Sequence, residues 1–276
     1  MVQRWRLIKS GPGEPAWNMA VDEALVTCHS RGDSLPVLRL YTWSPPALSL
    51  GYFQKMSGIR LDLLDRLGIV PVRRSTGGRA VLHSGDLTYS LVASSDQDIP
   101  LGLVDSYRYL CKGLLATFAS LGIKAGLGSE KLRKPFPASC FAVALPGDIT
   151  WQGRKFVGSA QKRFGSSILQ HGSILLRSQQ KILNEIFTDK EKTNSQALLE
   201  KITCLDDILE RQMELEEISD ALANGFKKAL NIEFQPDELN CEEEALATSL
   251  VGKYGELNGH LLGTKSKNYR PFVNDR

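Results

Sequence analysis

The chain has 276 residues, of which 42% are apolar and 24% charged, and its mean hydropathy is −0.18. This composition excludes a disordered, collagenous or low-complexity chain, and the length leaves enough residues for a sizeable core. No apolar run approaches the roughly 18 residues of a membrane span, and the opening Met1-Val2-Gln3-Arg4-Trp5-Arg6 has no apolar stretch of a secretory leader, so the cytoplasm is the expected compartment. The net charge of +3 hides a division. Residues 1–184 carry 23 Lys and Arg against 12 Asp and Glu, a balance of +11, residues 185–244 carry 6 against 17, a balance of −11, and residues 245–276 carry 5 against 2. A basic body of this kind attracts nucleic acid, an anionic small molecule or an acidic protein; equally, the acidic segment reads as solvated Glu-rich helices.

In chain order, Trp17, Ala20, Val21, Ala24, Leu25 and Cys28 recur at helical spacing, with Asn18, Asp22 and Glu23 placed where acidic residues suit a helix N-terminus. Short β-prone runs follow at Val37 to Tyr41, Ala47 to Leu50, Val70 to Arg73, Ala80 to His83 and Leu87 to Ala93, with a Ser44-Pro45-Pro46 turn between the first two. Helices are predicted over Leu61 to Leu67 and Val104 to Leu121. Asp148 to Trp151 and Arg154 to Gly158 flank Gln152-Gly153 as a hairpin, whose alternation sets Lys155 and Val157 on one face and Arg154 and Phe156 on the other. Ser167 to Leu176 reads as a further strand, in which His171 shares a face with Leu169 and Leu175; a lone histidine there is more often a satisfied core residue than a ligand or base. Beyond residue 178 apolar residues from Ile182 to Leu230 recur at three and four, and Gln235-Pro236-Asp237-Glu238 reads as one more helix start. There is no internal repeat. Strands and helices mix without regular βαβ alternation, which favours an α+β fold over a doubly wound sheet.

The five cysteines, Cys28, Cys111, Cys140, Cys204 and Cys241, are widely spaced and form no zinc signature, so reduced thiols are expected and no metal. Cys28 and Cys111 fall on apolar helix faces, Cys204 beside a helix start and Cys241 in a Glu-rich helical run. Cys140 differs: it follows Lys131-Leu132-Arg133-Lys134-Pro135-Phe136-Pro137, a basic, proline-broken loop, and a thiol near several cations has a lowered pKa and gains nucleophilicity. The densest cluster of chemistry is Arg73-Arg74-Ser75-Thr76-Gly77-Gly78-Arg79-Ala80-Val81-Leu82-His83. Its glycines permit close backbone approach and its arginines offer charge, so it suits a phosphate or a carrier-bound thioester; it is neither a Walker A nor a Rossmann motif. By spacing alone, a Gly-Gly turn between strands with surface arginines fits as well.

Taken in order, this cluster, Leu87-Thr88-Tyr89-Ser90, Ser139-Cys140-Phe141, Gly153-Arg154-Lys155 with Val157-Gly158-Ser159-Ala160-Gln161, and Leu169 to Leu176 closely resemble the octanoyltransferases of the lipoate-protein ligase A and biotin-protein ligase superfamily. Asn18-Met19-Ala20 with Asp22 to Leu25, and Ser49 to Gln54, match the start of that pattern. The resemblance implies a mixed, mainly antiparallel sheet flanked by helices, with a biotin/lipoate-protein ligase catalytic core over about residues 1–180 and a helical C-terminal part over about 181–276, as one acyltransferase domain. It implies cofactorless transfer of an octanoyl group from octanoyl-acyl carrier protein, through an enzyme thioester, to a lysine of a lipoyl domain such as the glycine-cleavage H protein. Cys140 matches the acyl-thioester cysteine, and Lys155, fifteen residues later, matches its partner lysine. Arg74, Thr76, Gly77, Gly78, Arg79, His83, Gly158, Ser159 and His171 are the corresponding substrate-binding positions. His83 divides between lining the site, handling the proton of the incoming amine, and a structural role. Where many relatives carry an acid soon after Cys-Phe, this chain has Cys140-Phe141-Ala142-Val143-Ala144-Leu145, which leaves Asp148 as a spatial substitute.

Three other readings compete. An ATP-dependent lipoate-protein ligase needs no nucleophile beside Phe141, and an octanoyl amidotransferase acting between lipoyl domains has a different motif order. A nucleic-acid module would interleave aromatics with Arg and Lys, which this chain does not do. No nucleic-acid or membrane partner is expected.

Overall fold

The computed structural model describes residues 2–128, 147–187 and 201–262. Eleven strands and seven helices carry the described chain. The principal sheet has eight strands in the order β11 (Ile232–Pro236), β1 (Gln3–Gly13), β2 (Val37–Trp43), β6 (Asp86–Ser94), β10 (Ser167–Leu175), β9 (Arg154–Phe164), β8 (Ile149–Trp151) and β7 (Gly126–Leu127). β1 pairs in parallel with both β11 and β2, and every other neighbouring pair in this sheet is antiparallel. A second sheet sets β3 (Ala47–Leu50) between β4 (Val70–Arg73), in parallel, and β5 (Val81–His83), antiparallel. The architecture is the expected α+β arrangement of a mixed, mainly antiparallel sheet flanked by helices.

Alternation decides how the principal sheet is covered. On β6, Leu87, Tyr89, Leu91 and Ala93 turn toward α3 (Leu103–Ser120) and α6 (Leu215–Leu230), while Val92 turns toward α1 (Pro15–Arg31) and α7 (Cys241–Leu262). With helices on both faces, all nine residues of β6 and all nine of β10 are buried, including polar ones such as Asp86, Thr88, Gln170, His171 and Ser173, which are satisfied by hydrogen bonds inside the protein. α2 (Leu61–Arg66) and α4 (Gln180–Ile186) form a separate apolar cluster with the small sheet. A short α5 (Leu205–Leu209), N-capped by Cys204, leads into α6.

Three details differ from the sequence reading. α1 starts at Pro15, with no acid in its first turn, so Asn18 and Asp22 do not act on the helix dipole; both are buried against the sheet. Gln235 and Pro236 end β11 instead of starting a helix, and the next helix begins at Cys241. The strand β1 was hidden by its polar and glycine content. In the hairpin, Gln152 and Gly153 both take positive φ, 49° and 76°, as a tight primed turn requires. The register slips between Ile149 and Thr150, giving Phe156 no cross-strand partner there. The bulge removes the expected alternation, and Lys155, Phe156 and Val157 are all buried.

α3 and α6 approach so closely that a Cβ built on Gly225 would stand 2.1 Å from Thr117 Oγ1 and 2.8 Å from the Gly113 carbonyl. Overpacking of this kind costs about 1–3 kcal/mol. Gly225→Ala is expected to destabilise the protein by that amount, read as a lower urea unfolding midpoint, and an unchanged midpoint would show that the two helices separate at no cost.

Candidate active site

A cleft opens between the two sheets. Its floor is β9 and β10, from Gly158, Ser159, Ala160, His171, Gly172 and Ser173; its roof is Ser49, Arg74, Val81 and His83 from the small sheet and its loop. Met19, Tyr41, Trp43 and Thr88 close the sides. The wall is mainly apolar, with a few convergent polar groups, as ligand clefts are built.

Two hydroxyl–imidazole–carboxylate chains converge there. In the first, Asp86 Oδ2 lies 2.8 Å from His83 Nδ1, and His83 Nε2 lies 2.8 Å from Ser49 Oγ. In the neutral ring the carboxylate holds the proton on Nδ1, which leaves Nε2 to accept from the Ser49 hydroxyl. Ser173 and Thr88 also donate to Asp86 Oδ2, at 2.6 and 3.3 Å, and the His83 ring stacks on Trp43 with centroids 4.1 Å apart. In the second, Asp22 Oδ2 lies 2.8 Å from His171 Nδ1, and His171 Nε2 lies 2.6 Å from Thr76 Oγ1. Asp22 also accepts from Arg39, at 2.9 Å, and from the Tyr41 hydroxyl, at 3.0 Å. Burial raises the Asp22 pKa, and the bonds and charges of His171, Arg39 and Tyr41 more than reverse it, leaving the carboxyl below its ordinary value. His171 is thus the satisfied histidine that the sequence suggests, and it forms cleft wall as well.

Arg74 is buried and donates to the carbonyls of Ser49, Gly77 and Arg79, at 3.1, 2.8 and 2.8 Å, so its guanidinium shapes the loop from within. Gly77 and Gly78 are exposed at the apex of that loop and do not line the cleft; Arg79 is half-buried beside them. Thr76 reaches the cleft through His171. Lys155 is completely buried, and its Nζ donates to Asp148 Oδ2 at 2.7 Å. Its backbone bonds to the segment that follows: its N–H donates to the Lys201 carbonyl and its carbonyl accepts from Thr203. Cys140, the preceding basic cluster Lys131 to Lys134, and Ala142 to Leu145 lie outside the described residues. Among the described cysteines, burial pushes the thiols of Cys111 and Cys204 up to about 12 and raises that of Cys28, and Cys241 is exposed. None of the four lines the cleft.

The chain matches the family described as lipoyl protein ligase A/B catalytic domain over residues 14–227. It belongs to that family. It is 40% identical to the octanoyltransferase LipM of Kyrpidia tusciae over 265 residues, covering 92% of this chain and 97% of the relative. It is 38% identical to the octanoyltransferase LipM of Staphylococcus aureus, over 92% and 97% of the two chains. Among solved structures it superposes on a lipoate-protein ligase A bound with ATP, with a TM-score of 0.78 and 26% identity over 95% of this chain and 99% of the other. A bipartite archaeal lipoate protein ligase from Thermoplasma acidophilum, studied with its E2 lipoyl domain, gives 0.75 and 25% over 97% and 99%. The lipoate-ligase catalytic fold expected from the sequence is therefore the fold observed. Among the described residues no helix is long and apolar enough to cross a membrane.

Sequence reasoning missed Asp22, Tyr41, Trp43, Ser49 and Asp86 as members of the site. A signal was present for Asp22, an acid on the apolar face of a helix otherwise made of Ala, Val and Leu. The others sit in strands where polar and aromatic residues carry no distinguishing pattern. Removing one partner of a buried ion pair costs about 3–5 kcal/mol. Because the folded pKa of Asp22 is lowered, its contribution is present above the ordinary carboxylate value near 4 and is lost as pH falls through the lower folded value. Asp22→Asn is expected to lose roughly 3 kcal/mol at pH 7 in urea melts, with a gap to the wild type that narrows below about pH 4. A gap independent of pH would remove the ionised carboxylate from the account.

Proposed function

We propose that the protein is an octanoyltransferase of lipoate biosynthesis that moves an octanoyl group from octanoyl-acyl carrier protein, through a thioester on Cys140, to the lysine of a lipoyl domain such as the glycine-cleavage H protein. The observation that carries this reading is the burial of Lys155. A solvated hairpin lysine would have no such constraint, whereas Lys155 is fully buried and bonded to Asp148. Burying an ammonium is costly unless its charge is used or balanced, and here a carboxylate balances it. The name shared by the LipM relatives supports octanoyl transfer, and the cleft of mainly apolar wall supports an acyl chain as the bound group.

In this reading the Cys140 thiolate attacks the carrier thioester carbonyl, the tetrahedral intermediate collapses, and the carrier thiolate leaves. One thioester replaces another, so bond energy changes little and no nucleotide is needed. Lys155 favours the thiolate by its charge and moves protons as the intermediate forms and collapses. Asp148, in place of the acid found after Cys-Phe in many relatives, holds Lys155 in position. The acceptor amine then attacks the octanoyl-enzyme, an amide forms, and the Cys140 thiolate is released. In this reading His83, a residue of the cleft wall, takes the amine proton. Arg74, Thr76, Gly77, Gly78, Arg79, Gly158, Ser159 and His171 form or shape the surface that receives the acyl group. No cofactor takes part.

Incubation with octanoyl-carrier protein and no nucleotide is expected to give an octanoyl adduct by intact-mass analysis, absent in Cys140→Ala. Transfer that required ATP and survived Cys140→Ala would replace this reading with the ligase one, and transfer only from an octanoylated lipoyl domain would replace it with the amidotransferase one. Separately, Lys155→Ala is expected to raise the pH at which Cys140 becomes alkylated by iodoacetamide. An unchanged alkylation profile would remove Lys155 from tuning the thiol.

A further inference from the structure

The two histidines of the cleft are each bonded at both ring nitrogens. Asp86 holds Nδ1 of His83 and Ser49 its Nε2; Asp22 holds Nδ1 of His171 and Thr76 its Nε2. Trp43 also covers one face of the His83 ring. Neither ring therefore offers a bare nitrogen to a molecule in the cleft, and a proton reaches either ring through the hydroxyl on its Nε2. The two hydroxyls differ. Thr76 is completely buried and does not line the cleft, whereas Ser49 does. Alternation explains the second: Leu48 and Leu50 enter the apolar cluster of α2 and α4, so Ser49 between them turns to the opposite face of β3.

The carboxylates behind the rings differ as well. Asp22 is paired with the Arg39 guanidinium at 2.9 Å, so its charge is already balanced. Among the described residues Asp86 meets only neutral donors besides His83, the Ser173 and Thr88 hydroxyls. A buried carboxylate of that kind has charge left to balance an imidazolium formed beside it. Ser49 Oγ also has the valence to pass a proton on. It donates to His83 Nε2 and accepts from Arg74 Nη1 at 3.3 Å, which leaves its second lone pair for a donor in the cleft.

We infer that Ser49 is a further catalytic residue, the group that meets the acceptor amine and relays its proton to His83, a role that rests on the transfer reading above. As the amine nitrogen bonds to the octanoyl carbonyl carbon, its proton moves to Ser49 Oγ while the Ser49 proton moves to His83 Nε2, and Asp86 balances the imidazolium. The carbon–sulfur bond then breaks, its electron pair leaves on the Cys140 thiolate, and the imidazolium gives its proton through Ser49 to solvent. Lys155 does not replace Ser49 in this step, because an ammonium has no lone pair with which to accept.

Single-turnover transfer from the isolated octanoyl-enzyme to the glycine-cleavage H protein tests this, with acylation by octanoyl-carrier protein timed alongside. In Ser49→Ala the ratio of the transfer rate to the acylation rate is expected to fall about 10²-fold or more, the usual worth of a positioned acid–base group, and Ser49→Thr, which keeps a hydroxyl, is expected to recover most of it. Plotted against the deuterium fraction of the solvent, the wild-type transfer rate is expected to bow downward, because more than one proton moves in the step, and the Ser49→Ala rate to fall on a straight line. A ratio in Ser49→Ala equal to that of the wild type, or a straight plot for the wild type itself, would overturn the relay and leave the thioester reading in place. Failure of the wild type to form any octanoyl-enzyme would overturn both.

Discussion

The Asp22 carboxylate is the point at which helix, sheet and loop are tied together. It is 1% exposed, and it sits on α1 facing β2 and β10. One oxygen accepts from Arg39, and the other from Tyr41 and His171. An isolated carboxylate at such depth would cost several kcal/mol; here three donors satisfy it, and the Arg39 guanidinium is itself held by Asn18 and Ser10 and stacked 3.9 Å above the Tyr41 ring. The pair cannot be satisfied unless α1 lies in one register against the sheet. Through His171 and Thr76 the same carboxylate fixes the loop that carries Arg74, Gly77, Gly78 and Arg79, so the position of the cleft roof depends on a charge on its opposite side.

Asp86 repeats this logic from the other end of the cleft. It receives His83, Ser173 and Thr88 on one oxygen, and so determines both the tautomer of His83 and its stacking against Trp43. Beyond Trp43 and His83 lies a second space, reached past Arg177 and Met213 and bordered by Asp86 itself. The two rings thus form a thin partition, and the proton-accepting nitrogen of His83 is turned toward Ser49 on the cleft side. Packing and protonation are not separable here: moving Trp43 moves the base, and neutralising Asp86 frees it to flip.

The sequence made the strands and helices of the body legible because their apolar residues follow period two or period 3.6, and hairpin and loop glycines mark the connections. It was silent where tertiary context overrides pattern. β1 contains Gln3, Arg4, Arg6, Lys9 and Ser10, and only the parallel pairing with β2 and β11 makes it a strand; β11 joins from more than two hundred residues away. The Phe156 bulge cannot be seen in an alternating run, and without it Lys155 would be read as one residue of a simple two-faced hairpin. Of the residues that the ordered motifs single out, Arg74, His83, Gly158, Ser159 and His171 line the cleft, whereas Gly77, Gly78 and Lys155 do not. The carboxylate partners of the histidines were not legible: Asp22 is 149 residues from His171 in the chain, and Asp86, although only three residues after His83, opens the next strand.

The division of charge also takes a different form in three dimensions. The acidic C-terminal segment is not simply a solvated appendage, since Glu243 is completely buried and bonded twice to Arg6, whose other acceptors are Asp237, the Ser34 hydroxyl and the Glu238 carbonyl. Lys9 reaches Glu216 and Asp220, and Lys253 reaches Glu23. These pairs gather along β1, α1, α6 and α7; at Arg6 and Lys9 acids of the late segment neutralise cations of the early one, and at Lys253 a late cation meets the early acid Glu23. Surface pairs such as Lys9 with Glu216 add at most about 1 kcal/mol, but the Arg6 cluster is desolvated and specific, and it fixes the start of α7 against β1. Pairing of the same kind extends into the body, where Asp148 balances the buried Lys155 and Asp62 faces Arg60, so the basic surplus read from the sequence is partly cancelled within the early segment itself.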